Sequence, residues 1–153
     1  MRKFRNRFPT AVLTAAVLLA AHIWAVPLQA VSCSEETIQL TARAVAAECG
    51  EASYGVQIAL AAVIFNRMED PRFGSTAAQV IWGADFITCT RTGRIALPPE
   101  EAVYEKALSA VRRAAEGMDP TDGAVWYGGG ETGRNSAVVW YGDGGYLFWG
   151  GEK

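Results

Sequence analysis

Two glutamates three residues apart, Glu48 and Glu51, are the residues of this sequence best placed to do chemistry. They lie at the end of one apolar helical pattern and just before a second one. A carboxyl group that is partly removed from water, near a like charge, holds its proton more tightly than an exposed one. Such a group can act as a general acid, which suits cleavage of a glycosidic bond. The alternative is structural: Glu48 caps the helix or pairs with Arg67 or Arg43.

Histidine is absent from residues 31–153, because the one histidine of the chain is His22. Without it, these residues can form neither a Ser-His-Asp or Cys-His catalytic set nor a histidine-bound zinc site. Cys33, Cys49 and Cys89 show no C-x-x-C spacing, which argues against a zinc or redox motif. We therefore expect no metal and no cofactor. Disulfides joining Cys89 to Cys49 or to Cys33, and three free thiols, all stay open.

Residues 1–30 have the pattern of a secretory signal peptide. Four basic residues precede an apolar run over residues 10–26, and Ala30 ends a small-residue cleavage site. The run approaches the minimum length of a membrane span, roughly 17 residues, so an uncleaved membrane anchor is the alternative. We expect the rest of the chain, residues 31–153, to be secreted or held at the cell envelope.

Residues 31–153 carry a net charge of −6. Four of the 14 basic residues and none of the 16 acidic ones precede them, which leaves 10 basic against 16 acidic residues. An acidic chain argues against nucleic acid as a partner, which normally requires a basic patch. A length of 123 residues suits one domain with a single core.

The segments that must position the glutamates are predicted to be helices. Ser34 is a suitable N-cap for a first helix that Gly50 ends. Residues 54–68 are apolar on nearly every face, which is typical of a helix in the centre of a domain. Two more helices are predicted, at residues 76–82 and 98–117. Between them, residues 83–98 show no clear period and are predicted to be a loop or irregular strands.

After Asp119 and Pro120 the pattern changes to short aromatic-rich runs separated by glycines. Such runs between glycine-rich turns are typical of short antiparallel strands. We expect strands at residues 124–127, 137–141 and 146–149. The predicted fold class is therefore α+β, mainly helical with a small antiparallel β element at the C-terminal end.

Two blocks of this sequence resemble the SleB-type spore cortex-lytic and cell-wall hydrolase family. The first has the family's Ala-Glu-x-x-Gly/Glu pattern, and the second is a glutamine-bearing apolar helix that ends in Asn-Arg. Weaker similarity continues to a pair of aromatic residues, so the resemblance spans roughly residues 38–149. The matching positions are Ala47-Glu48-Cys49-Gly50-Glu51, Gln57, Asn66-Arg67, Phe86, Thr88 and Trp126-Tyr127.

The resemblance implies a lysozyme-like domain that cleaves peptidoglycan between N-acetylmuramic acid and N-acetylglucosamine. It implies a lytic transglycosylase, which leaves 1,6-anhydro-muramic ends, acting on spore cortex or cell wall during germination or sporulation. The family's catalytic glutamate falls on Glu48. The remaining positions are expected to bind or position the glycan: Glu51, Gln57, Asn66, Arg67, Phe86, Thr88, Trp126 and Tyr127. For Gln57, Asn66 and Arg67 the alternative is structural, namely holding the region of Glu48 in place.

Three alternatives remain at this level. An inverting hydrolase would require a second carboxylate about 6.5–9.5 Å from the first, for which Asp85 and Asp143 are the loop acids available. A glycan-binding or germination-accessory protein would keep the fold without the activity. A membrane-anchored structural domain would carry Glu48 and Glu51 as surface charges only. The sequence identifies no accessory protein partner.

Overall fold

The computed structural model describes residues 33–83, 86–129, 138–141 and 145–150. The expectations for residues 1–30, Asp85 and Asp143 lie outside these ranges. The described residues form five α-helices, one 3₁₀-helix and three strands. Their bounds are α1 Glu35–Cys49, α2 Tyr54–Glu69, α3 Ala77–Ile81, α4 Thr88–Arg91, the 3₁₀-helix Arg94–Ala96, α5 Glu101–Ala115, β1 Trp126–Gly129, β2 Val138–Tyr141 and β3 Tyr146–Trp149.

The two ends of α1 are set by Ser34 and Gly50, as predicted. The Ser34 hydroxyl accepts the N–H of Thr37 at 3.2 Å and satisfies a first-turn donor. Gly50 follows the last helical residue at a close approach to α5. A Cβ at this position would lie 2.5 Å from the carbonyl oxygen of Ala46 and 2.5 Å from Cγ1 of Val103. The absence of a side chain therefore lets α5 pack against the end of α1 that carries Glu48.

Helix α2 forms the centre of the core. Every residue from Val56 to Phe65 is buried, including the polar Gln57, and α1, α3 and α5 pack around it. The prediction of a central helix over residues 54–68 is confirmed. A helix that is apolar on all sides can only be stable when other elements cover it.

Residues 83–98 contain helical turns where loop or strands were predicted. In the described part of this stretch, α4 and the 3₁₀-helix follow one another, and both contact α1. The strand alternative is therefore wrong. These turns span only three or four residues, which is too short to leave a periodic signal in the sequence.

The strands form one antiparallel sheet in the order β1-β3-β2. Trp126 is opposite Trp149 and Tyr127 is opposite Phe148, whose side chain is fully buried. The β2–β3 register is irregular between Val138 and Trp140. The predicted α+β fold class, with a small C-terminal antiparallel element, is confirmed.

The three cysteines are free thiols, which was one of the alternatives left open. Cys49 and Cys89 are buried, and desolvation is the main cause that raises the pKa of each thiol to about 12. Both thiols therefore remain protonated at neutral pH.

No helix in the described ranges has the length and apolar character needed to cross a bilayer.

Candidate active site

Glu48 lies in the last turn of α1, and its side chain is only 8% exposed. Its Oε1 accepts the backbone N–H of Thr88 at 3.1 Å and the hydroxyl of Tyr127. Its Oε2 accepts the backbone N–H of Cys89 at 2.6 Å. Three elements, α1, α4 and β1, therefore meet at one carboxyl group.

The two backbone donors are the first two residues of α4. First-turn N–H groups have no partner within their own helix, and the N-cap residue Ile87 offers no side-chain acceptor. The Glu48 carboxylate takes the place of the cap, although it is 40 residues away from Thr88 in sequence. Because each N–H points at a different oxygen, the orientation of the carboxyl group is fixed.

Tyr127 adds the third hydrogen bond from the sheet. Burial, followed by the hydrogen bond to Glu48, raises the pKa of Tyr127 far above its ordinary value, so its hydroxyl keeps its proton. The ring packs edge-on against Phe86, with centroids 5.8 Å apart, and at a tilt against Phe148 at 6.1 Å. These contacts hold the hydroxyl in place beside Glu48.

Arg94 provides the positive charge beside Glu48. Its Nη2 lies 3.8 Å from Oε2 of Glu48 and 3.5 Å from the Glu48 carbonyl oxygen, and its side chain is 51% exposed. The sequence analysis offered Arg67 or Arg43 as the ion-pair partner of Glu48. This expectation is wrong, because among the described residues neither arginine pairs with Glu48. Both contact backbone carbonyls instead, at Val125 and Ile95 respectively.

Arg67 is buried within a box of aromatic rings. Its guanidinium carbon lies 3.6 Å from the ring centroid of Phe86, 4.3 Å from that of Phe73 and 4.6 Å from that of Trp126. Its Nε donates to the carbonyl oxygen of Val125 at 2.5 Å. Desolvation lowers the pKa of Arg67 to about 10, so it stays charged at neutral pH. Arg67 thus ties the end of α2 to the start of β1.

Asn66 reinforces that connection one residue earlier. Its Nδ2 donates to Asp119 Oδ2 and to the carbonyl oxygen of Ala124, both at 3.0 Å. Asp119 also accepts the backbone N–H groups of Thr121 and Gly123, each at 2.8 Å. Burial acts to raise the pKa of Asp119, but these hydrogen bonds outweigh it and hold the pKa below its usual value. The loop that leads into Tyr127 is therefore anchored to α2.

Gln57 stabilises the turn that follows α1 through side-chain hydrogen bonds. It is fully buried, and its Nε2 donates to the carbonyl oxygens of Cys49, Gly50 and Ala52 at 3.3, 2.8 and 3.3 Å. Within the described part of the chain, its Oε1 is buried without a hydrogen-bond partner. Because Glu51 belongs to the same turn, Gln57 supports both the end of α1 and the second glutamate.

The predicted site residues divide by exposure. Gln57, Arg67 and Phe86 are buried and offer no surface to a sugar, so their placement favours support over the substrate contact predicted for them. Asn66 is half-buried, and its side-chain N–H groups are taken up by the hydrogen bonds to Asp119 and Ala124. Thr88 is exposed and adjoins Glu48, Trp126 is 41% exposed beside Arg67 and Phe73, and Glu51 is exposed on the turn.

Three contributors escaped the sequence analysis. Arg94 lies in the aperiodic stretch, Cys89 acts through its backbone N–H, and Phe73 completes the box around Arg67. A backbone donor leaves no signature in residue type. Arg94 begins a 3₁₀-helix of three residues and Phe73 lies in a turn, and the sequence patterns determine the path of neither segment.

Comparisons with known proteins agree with the fold described above. The sequence model of a family described as Cell Wall Hydrolase matches residues 50–144. Spore cortex-lytic enzymes of Halalkalibacterium halodurans and Bacillus subtilis are 36% and 35% identical over 107 residues. These residues make up 70% of this chain but 31% and 33% of the two enzymes, so the chain spans about a third of these relatives.

Two solved structures have the same fold. The catalytic domain of the Bacillus cereus SleB protein superposes with a TM-score of 0.67 at 33% identity, over 76% of this chain and 91% of that one. The catalytic domain of the germination-specific lytic transglycosylase SleB from Bacillus anthracis gives 0.66 at 31% identity, over 78% and 98%. The family match begins at Gly50, two residues after Glu48. The assignment of Glu48 therefore depends on its geometry.

Proposed function

This chain belongs to the cell wall hydrolase family, and on that premise we propose that it cleaves the glycan strand of peptidoglycan with Glu48 as the acid. The observation that supports this most directly is one carboxyl group, 8% exposed, oriented by donors from α4 and β1. A general acid must be held within hydrogen-bond reach of the atom it protonates, and a fixed carboxyl group meets that need. We place its action in spore cortex or cell wall, as the names of its relatives suggest.

The hydrogen bonds around Glu48 distinguish its two oxygens. Oε2 is bonded to the N–H of Cys89 and lies beside Arg94, and neither group can accept a proton. Oε1 accepts the backbone N–H of Thr88 and the hydroxyl of Tyr127, and that hydroxyl can act as donor or acceptor. Among the described partners of Glu48, Tyr127 is therefore the group that could accept a hydrogen bond from a protonated carboxyl group.

The reaction that we propose uses this carboxyl group twice. Protonated Glu48 donates to the glycosidic oxygen while the bond breaks and positive charge develops at the sugar ring. The carboxylate left behind accepts the proton of the C6 hydroxyl of the muramyl residue, whose oxygen closes a 1,6-anhydro ring. Arg94 and the N–H groups of Thr88 and Cys89 stabilise the carboxylate between the two steps. Similarity to a lytic transglycosylase supports this route over hydrolysis.

The proposal is tested by digesting purified cortex and vegetative wall with the full chain and analysing the fragments by mass spectrometry. We expect fragments that end in anhydro-muramic acid. In Glu48→Gln the rate should fall by about 10²–10⁴-fold, the usual contribution of a general acid. Glu105→Gln removes an exposed carboxyl group from α5 and serves as the matched control.

Each result has a distinct meaning. Reducing ends instead of anhydro ends would replace the transglycosylase route with hydrolysis. Equal cutting by Glu48→Gln and Glu105→Gln would remove Glu48 from the mechanism. Wall binding by the parent chain without any release of fragments would favour a glycan-binding or germination-accessory protein.

A further inference from the structure

A concave surface lies beside the 3₁₀-helix, away from the hydrogen-bond partners of Glu48. It is a cleft of about 390 Å³, within the usual range for sites that bind small ligands. In the described structure, the polar partners of Glu48 are Thr88, Cys89, Tyr127 and Arg94, and none of them lines this cleft. The residues that line it are Arg43, Ala96, Pro98, Pro99, Glu101 and Tyr104.

The 3₁₀-helix connects this cleft to Glu48. Arg94, its first residue, reaches the Glu48 carboxylate at 3.8 Å. The carbonyl oxygen of the next residue, Ile95, accepts Nη2 of Arg43 at 3.1 Å, and Ala96 lines the cleft. A 3₁₀-helix rises about 2 Å per residue. Together with the reach of the Arg94 side chain, this puts the cleft on the order of 10 Å from the Glu48 carboxylate.

The lining of the cleft combines apolar walls with two opposite charges. Pro98, Pro99 and Tyr104 supply the walls, while Arg43 and Glu101 supply the charges. A guanidinium group has five N–H donors, and the contact with Ile95 uses one nitrogen of Arg43. The cleft therefore suits a ligand that carries small apolar groups together with a carboxylate and an amine.

We propose that this cleft binds the stem peptide of the muramyl residue held at Glu48, with Arg43 contacting a peptide carboxylate and Glu101 a peptide amine. Stem peptides carry alanine methyl groups, free carboxylates and, on the diamino acid, an amine, which match the lining group by group. An extended chain spans about 3.3–3.6 Å per residue, so three or four residues cover the distance from Glu48. The inference depends on the proposed function, because it assumes that a glycan strand binds beside Glu48.

The first experiment compares two substrates for the full chain. Glycan strands that retain their stem peptides are compared with the same strands stripped by an amidase, and kcat/KM is measured for both. The parent should prefer peptide-bearing strands, and Glu101→Gln should reduce that preference by about tenfold. Arg112→Gln, which removes an exposed ion pair with Glu35 elsewhere on α5, should keep the parent's preference. Equal kcat/KM of the parent on both substrates would overturn the inference.

Arg43→Gln is a second cleft variant, with one complication. It also removes the hydrogen bond to Ile95 and can displace the 3₁₀-helix. Glu101→Gln avoids this, because among the described residues Glu101 accepts no hydrogen bond from that helix. Thermal melting of each variant separates loss of the cleft from loss of the fold.

A binding measurement distinguishes failure of the inference from failure of the proposed function. A soluble stem tetrapeptide is titrated into Glu48→Gln and into the double variant Glu48→Gln, Glu101→Gln, followed by calorimetry. Saturable binding that the second substitution weakens about tenfold supports the cleft, even if the parent cuts neither substrate. No binding by either protein overturns it, even if the parent cuts both substrates.

Discussion

The hydroxyl of Tyr127 donates a hydrogen bond to Oε1 of Glu48 although the two residues are 79 positions apart in sequence. One lies on the first strand of the sheet and the other in the last turn of α1. The sheet is therefore part of the site, because it supplies a donor to the proposed acid. Folding of the C-terminal third of the chain is needed to complete the surroundings of Glu48.

Tyr127→Phe should lower kcat while the fold is kept. The substitution removes the hydroxyl but leaves the ring contacts with Phe86 and Phe148. A hydrogen bond to a charged group contributes about 1.5–3 kcal/mol, so kcat should fall by about 10–100-fold. Tyr54→Phe is the control, because it removes an exposed hydroxyl contact with Ser109. Equal kcat in both variants would contradict a positioning role for Tyr127.

Arg94→Gln should have a smaller effect than Tyr127→Phe. Its guanidinium is half exposed and 3.8 Å from Glu48, and such ion pairs contribute at most about 1 kcal/mol. We expect kcat to fall about fivefold, with partial recovery in Arg94→Lys. Arg113→Gln removes an exposed ion pair with Glu116 and should leave kcat unchanged. A loss as large as that of Tyr127→Phe would show that Arg94 does more than stabilise charge.

Arg67→Met should destabilise the fold by about 3 kcal/mol. The change leaves the Val125 carbonyl oxygen without its donor, at a cost of about 1–3 kcal/mol, and removes cation–π contacts worth about 2 kcal/mol. Urea unfolding measures the loss. Arg72→Met breaks an exposed ion pair with Asp70 and should cost under about 1 kcal/mol. If both variants cost the same, Arg67 does not anchor β1 to α2.

The buried thiols should make stability fall in alkaline solution. The pKa of Cys49 and of Cys89 is about 12 in the folded chain, against about 9 in the unfolded chain. The folded state therefore binds more protons above pH 9, and the free energy of unfolding decreases as pH rises. Between pH 8 and pH 10 each thiol should account for about 1 kcal/mol. Cys49→Ala should remove its share of this decrease in urea unfolding; an identical decrease in the variant would contradict the assignment.

The same thiols should resist alkylation in the folded chain. At pH 8, iodoacetamide should modify Cys49 and Cys89 only in denaturant, because burial limits both access and thiolate formation. Cys33 is only partly buried and should react first. Peptide mapping by mass spectrometry assigns each site. Faster modification of Cys49 or Cys89 than of Cys33 would show that the region around Glu48 opens readily.

The sequence by itself determined the long helices and the candidate acid. Apolar periodicity predicted α1, α2 and α5, and the Ser34 cap and Gly50 predicted the bounds of α1 to within a residue. Glu48 was singled out because a carboxyl group between two apolar helices is unusual and because the catalytic glutamate of the family that the sequence resembles falls on this position. These features are local, since helical periodicity and capping act within one or two turns of the chain.

Only the tertiary structure decided which groups surround Glu48. The donors from Thr88 and Cys89 are backbone N–H groups, which every residue type except proline offers, and they become available because α4 begins without a cap of its own. Arg94, rather than Arg43 or Arg67, lies beside Glu48 because of the path that an aperiodic segment takes. Contacts across 40 to 79 residues depend on how the helices and the sheet pack together. That packing is a property of the whole chain, which no local pattern encodes.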